Sequence, residues 1–184
     1  MTGKTTKAII LTALLAALTT VATMIIRIPS PMASGYIHLG DGMVLLCGIL
    51  LGPGMGAAAA GIGSMLADLF AGAVAYLPGT LVIKALTALV AGWLYHRMAG
   101  RTARNTGLRV ALAGIPAEIV MVAGYYIYEA GMQVMAGSTA GAAAAAVLAG
   151  VPFNMVQGLA GIVVCAVLLP VLRHASKETG RINI

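Results

Sequence analysis

From Ala8 to Ile26 the chain carries no ionisable side chain, and long apolar stretches of the same character recur along its length. A helix needs about 20 apolar residues to cross the hydrocarbon core of a bilayer. The charge available for a water-facing surface is correspondingly small. Only 9% of the residues are charged and 60% are hydrophobic, where an ordinary soluble domain carries about 25% charge. Eleven basic and five acidic side chains cannot cover a soluble globule of 184 residues. A soluble enzyme and a disordered chain are both excluded, the second despite 24 glycines. Cys47 and Cys165 both sit in apolar runs, so neither a disulfide framework nor a zinc spacing is visible.

Breakers divide the apolar sequence. Gly52-Pro53-Gly54 and Tyr76-Leu77-Pro78-Gly79 read as tight turns. The runs between them predict an all-α integral membrane protein, a single domain over 1–184 with six spans near 8–27, 40–52, 55–74, 77–96, 108–129 and 147–172. That length leaves no room for a soluble domain. The first run is too long for a signal-peptide core and is followed by another membrane segment. The Ala/Gly stretch 131–146 reads either as a loop or as the start of the last helix.

Charge tests the topology. If both termini are cytoplasmic, the inner side holds Lys4, Lys7, Arg97, Arg101, Arg104, Arg109, Arg173, Lys177 and Arg181, nine of the eleven basic residues. The positive-inside rule demands this asymmetry. The cluster from Arg97 to Arg109 is thus a topology signal and a lipid-headgroup contact, not a nucleic-acid patch.

Small residues line several segments: Ala13 and Ala17 on the first, with Ala16 and Thr20 beside them, Gly56, Ala60 and Ser64 on the third, and Gly158 and Gly161 on the sixth. They let backbones approach closely where lipid gives no hydrophobic drive for association. Packing inside the bundle accounts for the third and sixth segments. For the first, spacing leaves contact with a partner protein open.

The functional signal lies in ionisable and amide residues that sit inside or at the edges of these runs, where burial in lipid costs several kcal/mol, from about 3 upward. They are Asp41, Asp68, Lys84, Glu118 and Glu129, with His38 and Arg27 nearby and Asn154 and Gln157 on the last segment. The predicted topology gathers them in the outer half of the bundle. Glu118, Val122, Tyr125 and Glu129 step by four, three and four and share one helix face, as do Asn154 and Gln157. Asp68 and Lys84 also fit a structural ion pair, and Asp41 also fits a helix N-terminus, where the macrodipole favours an anion. Tyr126 and Tyr128 fit an interfacial aromatic belt. Four carboxylates against Arg27, Lys84 and His38 suit a neutral polar or amine-bearing ligand better than a polyanion.

Several chemistries lack their residues. No phosphate-cradling Gly-Lys-Ser/Thr loop is present, so the chain has no ATPase of its own. Gly61-Ile62-Gly63-Ser64 is like the serine segment of an intramembrane protease, but His38, His96 and His174 all lie near segment ends, which leaves no base for it. No enzyme activity and no metal site are expected. A stand-alone facilitator or channel would need a polar path through the bundle, and the inner half is apolar.

The stretches Ile37-His38-Leu39-Gly40-Asp41-Gly42, Leu51-Gly52-Pro53-Gly54-Met55-Gly56, Gly61-Ile62-Gly63-Ser64, Ala67-Asp68-Leu69 and Tyr76-Leu77-Pro78-Gly79-Thr80-Leu81-Val82-Ile83-Lys84 resemble the substrate-binding S component of energy-coupling factor (ECF) vitamin transporters. The likeness is greatest to the riboflavin-type branch, which includes hydroxymethylpyrimidine and pyridoxine carriers. The resemblance implies a six-helix bundle in the prokaryotic plasma membrane that captures a small water-soluble vitamin or precursor (pyridoxine or pyridoxamine, hydroxymethylpyrimidine, or a riboflavin-like compound) at its outer face. It implies assembly with a transmembrane coupling subunit bearing two ATP-binding-cassette ATPases, which use the ATP. The vitamin is cargo, and no cofactor is implied for this chain. The Ala13–Ala17 pair resembles the family's motif for contact with the coupling protein, and His38 stands where many relatives carry Asn. The residues expected to touch ligand are Lys84, Glu118, Tyr125, Glu129, Asn154 and Gln157, then Asp41, Asp68 and His38.

Overall fold

The computed structural model describes residues 3–25, 27–29, 36–98 and 106–178. Arg101, Arg104 and Arg181 of the predicted inner charge cluster lie outside the described residues. In chain order the elements are α1 (Gly3–Ile25), β1 (Arg27–Pro29), β2 (Tyr36–His38), α2 (Gly40–Phe70), a 3₁₀ turn (Val74–Tyr76), α3 (Leu77–Arg97), α4 (Thr106–Met135), α5 (Ala140–Leu148) and α6 (Val151–Glu178). Among the described residues, α1, α2, α3 with its preceding turn, α4 and α6 are long and apolar enough to cross a bilayer. Their outer surfaces expose Leu14, Val82, Trp93, Ile127 and Val163, an exterior that suits lipid and not water.

The glycine–proline breaker shapes α2. Gly52 has φ 80° and ψ 172°, a backbone conformation open to glycine and closed to most other residues. Pro53 then stands at the first position of a new helix, where its missing N–H costs nothing. The chain doubles back here. Gly48 and Gly56 would be about 12 Å apart along a straight helix, yet a Cβ built on Gly56 would lie 2.6 Å from the Gly48 Cα. α2 is therefore two helices, 40–51 and 53–70, packed against each other.

The first of them is the centre of the molecule. Every residue from Gly40 to Ile49 is buried. α3 crosses it backbone to backbone, since a Cβ on Gly92 would lie 2.9 Å from the Gly48 carbonyl carbon. α4 closes on it through Gly114, beside Leu45 and Ile162, and α6 through Gly161, whose added Cβ would meet the Asp41 Cβ at 2.7 Å. α1 lies along both halves of α2: Thr19 Oγ1 is 3.4 Å from the Cys47 Sγ and Thr23 abuts Gly40 on the first half, and the rest of the face meets the second. Thr20 donates to the Gly63 carbonyl at 2.8 Å, and Leu15, Ala16 and Thr19 are buried while Ala13 and Ala17 are exposed. Structure thus separates the two small-residue faces of α1 that spacing left together.

Two local features go beyond the sequence reading. β1 and β2 form a short antiparallel ladder with Arg27 opposite His38 and Pro29 opposite Tyr36. The Ala/Gly stretch is neither a loop nor a continuation of α6: α4 runs on to Met135, Gly137 turns the chain at φ 100°, and α5 forms a separate helix with Thr139 accepting from the Ala142 N–H. Pro152 then falls in the first turn of α6, where proline is tolerated.

Candidate ligand-binding site

The polar residues collect at one half of the bundle, around the N-terminus of α2. Asp41 and Lys84 are both fully buried and form an ion pair between α2 and α3. Gln157 of α6 donates to the second Asp41 oxygen at 2.7 Å, and its own carbonyl oxygen accepts from the His38 N–H at 3.1 Å. The His38 ring nitrogen Nδ1 in turn accepts from the Gly40 N–H at 3.1 Å. Residues from β2, α2, α3 and α6 are thereby tied in one chain of hydrogen bonds. Such a network is stable in a dry interior only when its members are satisfied, and here Asp41 uses both oxygens. Gly161 matters to it, because any larger side chain would push α6 off the Asp41 backbone.

The ammonium of Lys84 lies 5.2 Å from the Tyr125 ring centroid, a cation–π distance. The Tyr125 hydroxyl shares a hydrogen bond of 3.0 Å with Thr80. One helical turn on, Tyr76 donates to Glu129 at 3.4 Å, and Tyr128 donates to the Ala75 carbonyl at 2.7 Å, its ring packed on Gly79. Tyr125 and Glu129 of the predicted α4 stripe therefore face the start of α3, whereas Glu118 and Val122 line a cavity on the side of α5 and α6.

Glu118 differs from all of these. It is 5% exposed, and neither carboxylate oxygen has a hydrogen-bond partner among the described residues. The Lys84 ammonium is within electrostatic reach, but Lys84 is committed to Asp41. Gly158 of α6 abuts the Glu118 side chain, with room for a Cβ only 3.0 Å away. On its other side Glu118 lines a cavity of about 500 Å³ between α4, α5 and α6. Ile119, Val122, Leu148, Met155 and Leu159 form apolar walls, and Tyr126 adds an aromatic ring whose hydroxyl donates to the Ala144 carbonyl at 3.4 Å. Small-molecule sites have this size and this character, apolar walls with a few placed polar groups. A buried carboxylate without donors is costly. A ligand presenting N–H or O–H groups to Glu118 and a flat apolar body to the walls removes that cost.

The structure thus places seven of the nine sequence-derived candidates in three settings. Asp41, Lys84, Gln157 and His38 form the buried network. Tyr125 and Glu129 pair with Thr80 and Tyr76. Glu118 faces the cavity. Lys84 has Asp41 as its ion-pair partner, which answers the alternative of a structural pair with Asp68. Asp68 is buried near the end of α2, and Asn154 is half-buried one turn before Gln157 and makes none of the network's hydrogen bonds. Sequence reasoning missed Thr80, Tyr76 and the apolar cavity wall. Gly158 and Gly161 were legible as small residues, but not as the spaces that admit Glu118 and Asp41.

Residues 3–174 match the family model for the ECF-type riboflavin transporter, S component. An uncharacterized protein of the gap 3'region of Pyrococcus woesei is 41% identical over 106 residues, 58% of this chain and 67% of that protein. The fold is similar to that of the S component of a bacterial ECF transporter, with TM-score 0.68 and 22% identity over 94% of this chain and 99% of that one. It is also similar to that of an S component for biotin from an ECF-type ABC transporter, with TM-score 0.64 and 15% identity over 92% of this chain and 94% of that one.

Proposed function

The chain belongs to the ECF-type riboflavin transporter S component family, and on that premise we propose that it captures a small water-soluble vitamin or vitamin precursor in the α4–α5–α6 cavity, with Glu118 as the anchoring acceptor. Membership makes it a substrate-binding membrane subunit of an ECF transporter, not an enzyme. The observation that carries the site is the buried Glu118 carboxylate with two unpartnered oxygens at the edge of an otherwise apolar cavity. A ring bearing an amine or hydroxyl donor suits it, as in pyridoxine, pyridoxamine, hydroxymethylpyrimidine or a riboflavin-like compound. Tyr125, Glu129, Asn154 and Asp68 do not line the cavity, and the same proposal gives them a supporting role around it. Lys84, Asp41, Gln157 and His38 support it from behind by fixing α2, α3 and α6.

Orientation follows from charge. Tyr95, His96, Arg97, Arg109 and Arg173 mark one end of the bundle, and the positive-inside rule sets that end in the cytoplasm. The pocket then lies in the outer half of the bundle, and both termini face inward. Counting the halves of α2 separately, α1, α2, α3, α4 and α6 supply six membrane helices, of which 40–51 is a short one sheathed by its neighbours, and the reversal at Gly52 supports that count. The exposed Ala13 and Ala17 of α1 form the face that docks on the transmembrane coupling subunit, which carries two ATP-binding-cassette ATPases; those partners use the ATP that releases the cargo inside.

The test is mass spectrometry of ligand carried through purification, followed by isothermal titration of the compound found. Recovery of a donor-bearing vitamin that binds wild type and not Glu118→Ala supports the reading. Equal affinity of the variant, or tightest binding of a phosphorylated or folate-like polyanion, overturns it. Uptake into liposomes that hold this chain alone would show a facilitator instead.

A further inference from the structure

At the end of the bundle away from the pocket, two arginines converge on one buried tyrosine. Tyr95 of α3 is 1% exposed. The Arg109 guanidinium carbon lies 4.0 Å from its ring centroid, and that of Arg173 lies 5.5 Å away. Arg109 donates to the Tyr95 carbonyl at 2.6 Å and Arg173 to its hydroxyl at 3.0 Å. An arginine has five N–H donors, so most on each residue are unspent. The Nε atoms of both are buried and have no acceptor. Among the described residues neither guanidinium pairs with a carboxylate. Glu118, on the same helix as Arg109, is nine residues and about 13 Å away.

Two like charges gathered without a counterion among the described residues call for one. The planar fork of arginine matches phosphate oxygens two at a time. The position in the membrane points to the source of that phosphate. Tyr95 is near the last residue of α3, Arg109 in the first turn of α4, and Arg173 at the end of the apolar span of α6. All three therefore stand at headgroup level. Exposed Leu112 on α4 and Val171 on α6 continue from the arginines toward the membrane centre and offer apolar surface to acyl chains.

We propose that Arg109 and Arg173, braced by Tyr95, form a discrete site for the phosphate of an anionic phospholipid headgroup. This goes beyond the ligand pocket and does not depend on it. The site differs from general attraction of basic loops to a membrane, because it rests on three named side chains from three helices and excludes the neighbouring Arg97, whose guanidinium lies over Trp93 at 5.2 Å.

The experiment is native mass spectrometry of the detergent-solubilised protein titrated with phosphatidylglycerol, phosphatidylcholine or inorganic phosphate. Wild type should retain one phosphatidylglycerol in preference to phosphatidylcholine. With about fivefold affinity from each basic group near an anionic surface, R109Q/R173Q should lower that retention about 25-fold. R97Q should leave it unchanged. R109K/R173K keeps the charge but loses the fork and should fall between, which separates recognition from misfolding. Displacement of the lipid by millimolar inorganic phosphate retains the phosphate site and assigns it to a free anion. Equal retention of the two lipids, or equal loss in R97Q and R109Q/R173Q, overturns the proposal.

Discussion

Glu118→Gln should move stability and affinity in opposite directions. In the empty protein the Glu118 carboxylate is 5% exposed and neither oxygen is hydrogen-bonded. A buried polar group left unsatisfied costs about 1–3 kcal/mol, and a charged one costs more. A neutral amide of the same shape is still a buried polar group without partners, so it removes only the excess cost of the charge and should stabilise the unliganded protein by about 1 kcal/mol. Binding should suffer, because hydrogen bonds to a charged acceptor contribute about 1.5–3 kcal/mol each, and loss of one raises Kd about 10- to 150-fold. Equilibrium denaturation in detergent reads the first effect and isothermal titration reads the second. A residue that only holds helices together would lose stability on substitution, and one outside the pocket would leave Kd alone. Destabilisation of the empty protein, or unchanged affinity, refutes the reasoning.

Lys84→Met leaves Asp41 charged and buried, and should cost about 3–5 kcal/mol. Adding Asp41→Asn, which keeps an acceptor for Gln157, should recover most of that loss, so equal denaturation midpoints for the single and double variants would show that the ion pair is not coupled. Gly92→Ala drives a Cβ into the Gly48 backbone and should destabilise by about 1–3 kcal/mol. Gly131→Ala, on the same assay, meets nothing within 4 Å in α4 and should gain about 0.5–1 kcal/mol from the lost chain freedom. Ala13→Trp or Ala17→Trp should block co-purification with the coupling module and spare ligand titration; if both functions survive, that face of α1 meets only lipid.

Features that depend on neighbours in sequence were readable before any coordinates. The apolar run from Ala8 marks α1, the Gly52–Pro53 breaker marks the reversal, and Pro78 marks the start of α3. The stripe of Glu118, Tyr125 and Glu129 was readable as one face, because a helix fixes that spacing. What each residue meets was not. Lys84 and Asp41 are 43 positions apart, and Gln157 and Asp41 are 116 apart. Helix spacing cannot choose between Asp41 and Asp68 as partner for Lys84. The pair Asn154 and Gln157 shows the limit in another way. Residues three apart are offset by about 60° around a helix, which is enough to bury Gln157 and leave Asn154 half out. The cavity was invisible for a different reason, since Met155 and Leu159 of α6 look like any lipid-facing residues until α4 and α5 are placed beside them.

The short central helix 40–51 also has a consequence for how the protein is made. At 12 residues it reaches about 18 Å, well below the roughly 30 Å of bilayer hydrocarbon, so it is a poor candidate for independent integration. Its sheath comes from both sides of the sequence: α1 precedes it, the second half of α2 and α3 follow at once, and α4 and α6 come later. Until α6 arrives, Asp41 lacks its amide donor and Gly42 lacks the wall formed by Val164. The nascent chain must therefore harbour an unfinished interior until α6 is made, and the arrival of α6 is the step that seals it.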